Sequence, residues 1–263
     1  MEKFLLFNKI MLLIGLNQLI KDIIKQFTVI KKMHDQINIS HLILPSHILL
    51  TLFNIYNNDS ASRYSIVDFL ALPMTRARKV LTILEENGLI IRNIGRKGST
   101  LTEKGFSLCE SIFKHLKLVN PYVSVDLGTI VLGKFNSVTL ISKKILTKEI
   151  NAIEIRDTSL KCGALGASIF ETFQGKKSQI TIKFFNEKVI YNENKSPELD
   201  NLASLITNSL DTDDQLLIIA STSNKLPKYY FNPLFDSKKV DAFKVALVAS
   251  VQSMWYVIES EFE

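Results

Sequence analysis

The chain has 263 residues, of which 46% are hydrophobic and 22% charged; that balance supports ordinary folded cores and excludes a disordered or fibrous chain. Its formal charge of +6 permits an anionic partner. The two cysteines, Cys109 and Cys162, argue against a disulfide framework or a four-ligand zinc site, so a cytoplasmic protein without metal or cofactor is expected. The excess charge is local: residues 1–34 hold six Lys/Arg against two Asp/Glu, residues 35–119 ten against seven, and residues 120–263 sixteen against seventeen.

The N-terminal stretch, an extension over residues 1–40, has its longest apolar run from Ile10 to Leu16, too short to span a bilayer. No small-x-small cleavage site follows it. Leu13, Leu16, Ile20, Ile23, Ile24 and Phe27 fall along one side of a helix, which fits a packing or dimerisation helix better than a membrane-bound one. A natural start at Met1, Met11 or Met33 is compatible with the pattern.

Residues 41–119 read as one domain. Pro45 to Tyr56 has Pro in a first helical turn and apolar residues at helical spacing, and Asn57-Asn58-Asp59-Ser60 stops it. Ser62 caps a short helix from Arg63 to Leu70, and Ala71-Leu72-Pro73-Met74 breaks the pattern. Thr75 is then expected to cap the helix "TRARKVLTILEENG", closed by Asn87-Gly88. Ala77, Val80, Leu81 and Leu84 form its inward stripe, while Thr75, Arg78, Lys79 and Thr82 lie opposite, with Arg76 on the flank. Cations in a first helical turn work against the helix dipole, so a phosphate backbone is the natural reason for them. Leu89–Arg92 and Ser99–Leu101 read as hairpin strands around a basic glycine tip that carries Arg96 and Lys97, and Thr102 caps a helix to Leu118.

Helix, turn, basic helix, hairpin and helix in that order describe a winged helix-turn-helix. In such a module Arg76 and Arg78 fork onto guanine edges while Thr75, Lys79 and Thr82 hold phosphates. Arg63, Arg92, Arg96 and Lys97 complete the expected contacts to double-stranded DNA.

Residues 120–263 read as an α+β domain that starts after Asn120-Pro121. Leu127 to Phe135 is expected as a strand, Glu149 to Cys162 as a helix ended by Gly163, and "GASIFETFQ" with "SQITIKFF" as a hairpin around Gly175-Lys176-Lys177. Glu198 to Ser209 follows as a helix and "QLLIIAS" as a buried strand. A long apolar helix from Ser237 to Trp255, capped by Asp236 or Ser237, ends the chain. All four histidines (His34, His41, His47 and His115) precede this domain, so it holds no Ser-His-Asp or Cys-His site. "GALGAS" lacks the lysine of a phosphate loop, and Asp211, Asp213 and Asp214 read as an acidic loop. Arg156 and Asp157 are neighbours, about 100° apart on a helix, and so cannot form an i,i+4 pair. They would cap adjacent structure, pair across a dimer, or hold a carboxylate or phosphate, the structural roles being favoured.

The string "EIRDTSLKCGALGASIF" after a winged helix ending in "LTEKG" resembles a family of archaeal two-domain proteins. The matching positions are Arg156, Asp157, Gly163-Ala164 and Gly166-Ala167, and the resemblance covers about residues 45 to 255. It implies a transcriptional regulator with an α+β second domain, no known ligand and no established enzyme activity. The expectation is therefore a homodimeric DNA-binding regulator that is not an enzyme, with Arg156, Asp157, Gly163 and Gly166 as candidate positions for a small-molecule effector. The rivals are an RNA- or ribosome-associated protein that uses the same basic surface and an enzyme with a carboxylate site at Asp157 or Asp211 to Asp214.

Overall fold

A computed structural model describes residues 2–37, 42–93, 98–174, 180–185, 197–207, 209, 215–223, 226 and 232–262, with backbone alone at 2–17, 19, 174 and 180. The fold is mixed α+β. Helix α1 (Glu2–Asp35) precedes three helices, α2 (Pro45–Asn57), α3 (Arg63–Leu70) and α4 (Met74–Glu86). The strands β1 (Ile90–Arg92) and β2 (Ser99–Leu101) pair antiparallel, and α5 (Glu103–His115) follows. Ala61 bridges to Ser99 through two backbone bonds of 2.9 and 2.8 Å, so the hairpin is sewn to the chain two residues before α3. Gly98, at φ +73°, suits that closeness, because a Cβ there would stand 2.7 Å from the Ala61 carbonyl.

The second half is built on a five-stranded antiparallel sheet in the order β3-β4-β7-β5-β6. Its strands are β3 (Leu116–Leu118), β4 (Phe135–Ser142), β5 (Gly166–Gln174), β6 (Ile180–Phe184) and β7 (Gln215–Thr222). Helices α6 (Ala152–Lys161) and α8 (Ala242–Glu259) cover one face, and α7 (Pro197–Thr207) covers the other. Side chains alternate along β7: Leu216, Ile218 and Ala220 enter the core shared with α8, while Leu217 and Ile219 enter the core under α7. Burial on both faces explains why this strand reads as an unbroken apolar run.

Helix α8 is apolar all round because it is covered all round. It lies between the sheet and α2, and one hydrophobic cluster runs from α1 through α2–α5 to α8 and the sheet. Ile23, Phe27, Ile30 and Met33 of α1 are buried in that cluster, and Ile20 and Ile24 are half-buried. Phe27 packs against Trp255 at 6.5 Å between ring centroids. Lys31 pairs with Glu259 at 3.3 Å. This half of the expected stripe is thus a packing surface; the side chains of Leu13 and Leu16 lie outside the described residues.

Several boundaries differ from expectation. The stretch 127–135 is not a strand: Gly128–Ile130 is a 3-10 turn, and the strand begins at Phe135. Gly133 is pressed so close to Thr222 that a Cβ would stand 2.2 Å from its carbonyl oxygen. The true strand β4 escapes a hydrophobicity reading because it carries Asn136, Ser137, Thr139 and Ser142, all buried. The Ser137 and Ser250 hydroxyls bond at 3.0 Å, and Thr139 donates to Ile218 O. Helix α5 stops at His115, and the next three residues leave it as β3, so the chain enters the sheet before Asn120. Asn120 itself is buried, donating to Val123 O and Asn136 O and accepting from Val138 N. Helix α6 starts at Ala152 behind its Asn151 cap, and α8 at Ala242, capped by Asp241 accepting from Lys244 N rather than by Asp236 or Ser237. Asp236 instead accepts from Lys238 N in a turn that delays the helix.

Candidate nucleic-acid interface

Helix α4 owes its orientation to its apolar stripe. Ala77, Val80, Leu81 and Leu84 are buried, together with Ile83. The cap at its start is Pro73, with extended backbone and no side-chain hydrogen bond, so Thr75 sits inside the first turn and does not cap. Thr75 and Arg78 are exposed, and Lys79 is half-buried beside them. No carboxylate pairs with Arg78 or Lys79 among the described residues. These three residues form an open cationic face at the N-terminal turns.

The other expected contacts are engaged inside the molecule. Arg76 donates through Nη1 to the carbonyl of Pro233, and burial lowers its pKa from the ordinary guanidinium value. It belongs to a clasp in which Asp236 N donates to Ala71 O at 2.6 Å and Lys239 pairs with Asp68 at 2.6 Å. Phe235 packs edge-on to His47 at 6.5 Å. Burial, then the charges of Arg76 and His34, hold the His47 pKa down at about 3. Its Nδ1 accepts from Leu44 N, which suits a neutral ring in the core. Ala71 supports the clasp from a left-handed turn at φ 51°. Asn232 anchors the far end by donating to Cys162 O at 3.0 Å. Residues 232–239 therefore tie α6 to the α3–α4 turn, and only the Asn-Pro pair in "FNPLFDS" hints at such a turn in the sequence.

Thr82 and Arg92 also bond to each other. Arg92 donates to Thr82 Oγ1 at 2.7 Å and pairs with Glu85 at 3.0 Å, while Thr82 donates back to Arg78 O. Their bonds staple β1 to α4. Arg63 lies 5.5 Å from the Tyr64 ring centroid, with its Nε buried and unpartnered. Arg96 and Lys97, which fall between β1 and β2 in the sequence, lie outside the described residues.

Arg156 and Asp157 pair with each other. Nε and Nη2 of the arginine both reach Asp157 Oδ1, at 3.1 and 2.8 Å, which neighbouring helical positions achieve without an i,i+4 spacing. Gly163, at φ +96°, ends α6 in a conformation that favours glycine. A Cβ on Gly166 would stand 2.8 Å from Leu132 Cδ1 and 3.5 Å from Arg156 Cγ. The motif thus closes a helix-to-strand turn. Asp211, Asp213 and Asp214 lie outside the described residues; among the described ones no group of three His, Cys, Asp or Glu side chains could hold a metal ion.

Both cysteines are buried, and burial pushes each thiol pKa up to about 12. At about pH 8.5, where a free thiol is half ionised, the native protein is expected to resist iodoacetamide. The same protein in denaturant takes up two labels, which mass spectrometry resolves. Rapid labelling of the native chain would contradict the buried placement.

No helix among the described residues is long and apolar enough to cross a membrane. No family model matches the chain, and no curated relative does. Among solved structures the chain is similar to a hypothetical protein from Pyrococcus horikoshii OT3, with a TM-score of 0.52 at 19% identity. That alignment covers 83% of this chain and 94% of the other. The likeness is one of fold.

Proposed function

We propose that the chain is a DNA-binding transcriptional regulator whose α2–α5 region is a winged helix-turn-helix. In this reading α4 enters the major groove, the β1–β2 hairpin is the wing, and the α+β half dimerises or senses a small molecule. The observation that carries it is the open face of α4: Thr75, Arg78 and Lys79 stand free on the first turns of a helix whose opposite stripe is buried. Two cations on the outward face of the second turn, without carboxylate partners, suit a phosphate backbone. The resemblance of the Arg156-Asp157 and Gly-Ala positions to archaeal two-domain regulators supports the same reading. It assigns no catalysis to either half.

The reading separates the arginines. On a duplex selected from a random library, Arg78→Ala is expected to weaken binding by about 1–3 kcal/mol, and by less on unrelated DNA, as a base-reading contact requires. Lys79→Ala is expected to weaken all duplexes alike. Arg76→Ala is expected to lower the thermal midpoint, since it breaks the clasp at Pro233, and to leave sequence preference unchanged. Electrophoretic titration with the three variants checks this; equal, negligible losses for Arg78→Ala and Lys79→Ala would remove α4 from the interface.

A further inference from the structure

An open-sided cleft of about 1030 Å³ lies where α1, α2 and α5 meet β3 and the 121–122 loop. Phe53, Tyr56, Phe113 and Tyr122 line it. Their rings touch in series: Tyr56–Phe113 at 5.9 Å, Phe113–Phe53 at 5.3 Å and Phe53–Tyr122 at 6.4 Å. Tyr122 is 55% exposed, although its hydroxyl accepts from Asn58 Nδ2 at 3.3 Å and fixes the ring in place. Tyr122 thus leaves an aromatic face open to solvent beside three half-buried rings.

The remaining wall is polar. β3 pairs with β4 on one side only, so its other side is a sheet edge, and all three of its residues line the cleft. The bond from Val119 N to Val138 O fixes the antiparallel alternation and turns the Leu118 N–H and C=O to that open edge. Lys114 and Lys117 stand at the junction of α5 and β3, while Asp22 and Glu110 supply acceptors from α1 and α5.

We infer that this cleft binds a small planar aromatic molecule carrying an anionic group. Rings in edge and tilted contact offer faces for a flat ligand, the exposed Lys114 suits its anion, and the Leu118 edge offers one donor and one acceptor. The volume matches small-molecule sites and not a macromolecular surface. Its walls come from both the helical layer and the sheet, so an occupant touches both halves. The inference rests on the regulator reading only in calling this occupant an effector. It moves the effector site away from Arg156, Asp157, Gly163 and Gly166, whose bonds close a turn.

The test uses the full chain and anilinonaphthalene sulfonate, a fused aromatic ring system with one anionic group, as a fluorescent probe. Saturable enhancement at one site per chain is expected, weakened about tenfold by Tyr122→Ala and by Lys114→Ala. Ile153→Ala, at an apolar position 63% exposed on α6, is expected to leave it unchanged. The three side chains are exposed, so the variants test binding and not folding. No saturable signal, adsorption at several sites, or equal effects of all three variants would overturn the inference. No DNA is present, so this outcome is independent of the DNA experiments.

Discussion

Trp255→Ala is expected to lower the unfolding free energy by about 3–5 kcal/mol, the range for removing a large aromatic from a packed core. The side chain is fully buried near the end of α8. Its ring meets Phe27 of α1 at 6.5 Å and Phe262 at 5.8 Å, and its Nε1 donates to Glu259. The space left behind has helices on several sides and cannot collapse by moving one of them. Urea unfolding followed by circular dichroism measures the loss. Since one cluster spans α1, α2–α5 and α8, the variant is expected to melt in a single transition displaced to lower denaturant. A loss below about 1 kcal/mol, the scale of a surface substitution, would contradict the placement of α1 against α8.

Gly105→Ala is expected to destabilise by about 1–3 kcal/mol or more through overpacking, opposite in sign to the ~1 kcal/mol that alanine gains over glycine in an open helix. A Cβ at this position would stand 2.0 Å from Leu89 O and 2.9 Å from Leu89 C. The obstacle is backbone that is held: Leu89 O accepts from Thr102 N, and Leu89 N donates to Leu84 O. Either α5 or the start of β1 must shift. Thermal melting checks the sign, and a stabilised variant would mean that α5 does not cross the hairpin at this distance. The close approach sets α5 against the start of β1, while the bonds of Arg92 to Thr82 and Glu85 tie the hairpin to α4.

Much of the helical half was legible because its signals are local. Pro45 in a first turn, Ser62 accepting from Ser65 N, and Thr102 accepting from Gly105 N appear where residue type predicts them. The buried stripe of α4 follows directly from its period. What escaped the sequence depends on distant partners. β4 carries polar residues among its apolar ones because Ser137 finds a hydroxyl on α8 and Thr139 a carbonyl across the sheet, pairings no window on 135–142 contains. Arg76 looks like a surface cation until residue 233, far along the chain, comes to rest on it. Arg92 and Thr82 similarly look free until the hairpin folds back over α4. The candidate site therefore shrinks from a broad basic face to Thr75, Arg78 and Lys79 among the described residues.

The clasp is a direct physical connection between the halves. Asn232 holds the end of α6, Pro233 holds Arg76, and Asp236 holds the turn that aims α4. A ligand acting on the α+β half would reach α4 through these contacts and through α8 against α2, without any hinge between separate bodies.

Binding to labelled mixed-sequence duplex DNA across a salt series, beside Arg78→Ala/Lys79→Ala and Arg76→Ala, tests the central claim most directly. The account predicts affinity that falls steeply with salt, and a slope smaller by roughly one for each phosphate-contacting cation removed. The double variant is expected to show that reduced slope and weak binding, while Arg76→Ala keeps the parent slope. Absence of binding at low salt, or a double variant identical to the parent, would mean that α4 does not meet DNA.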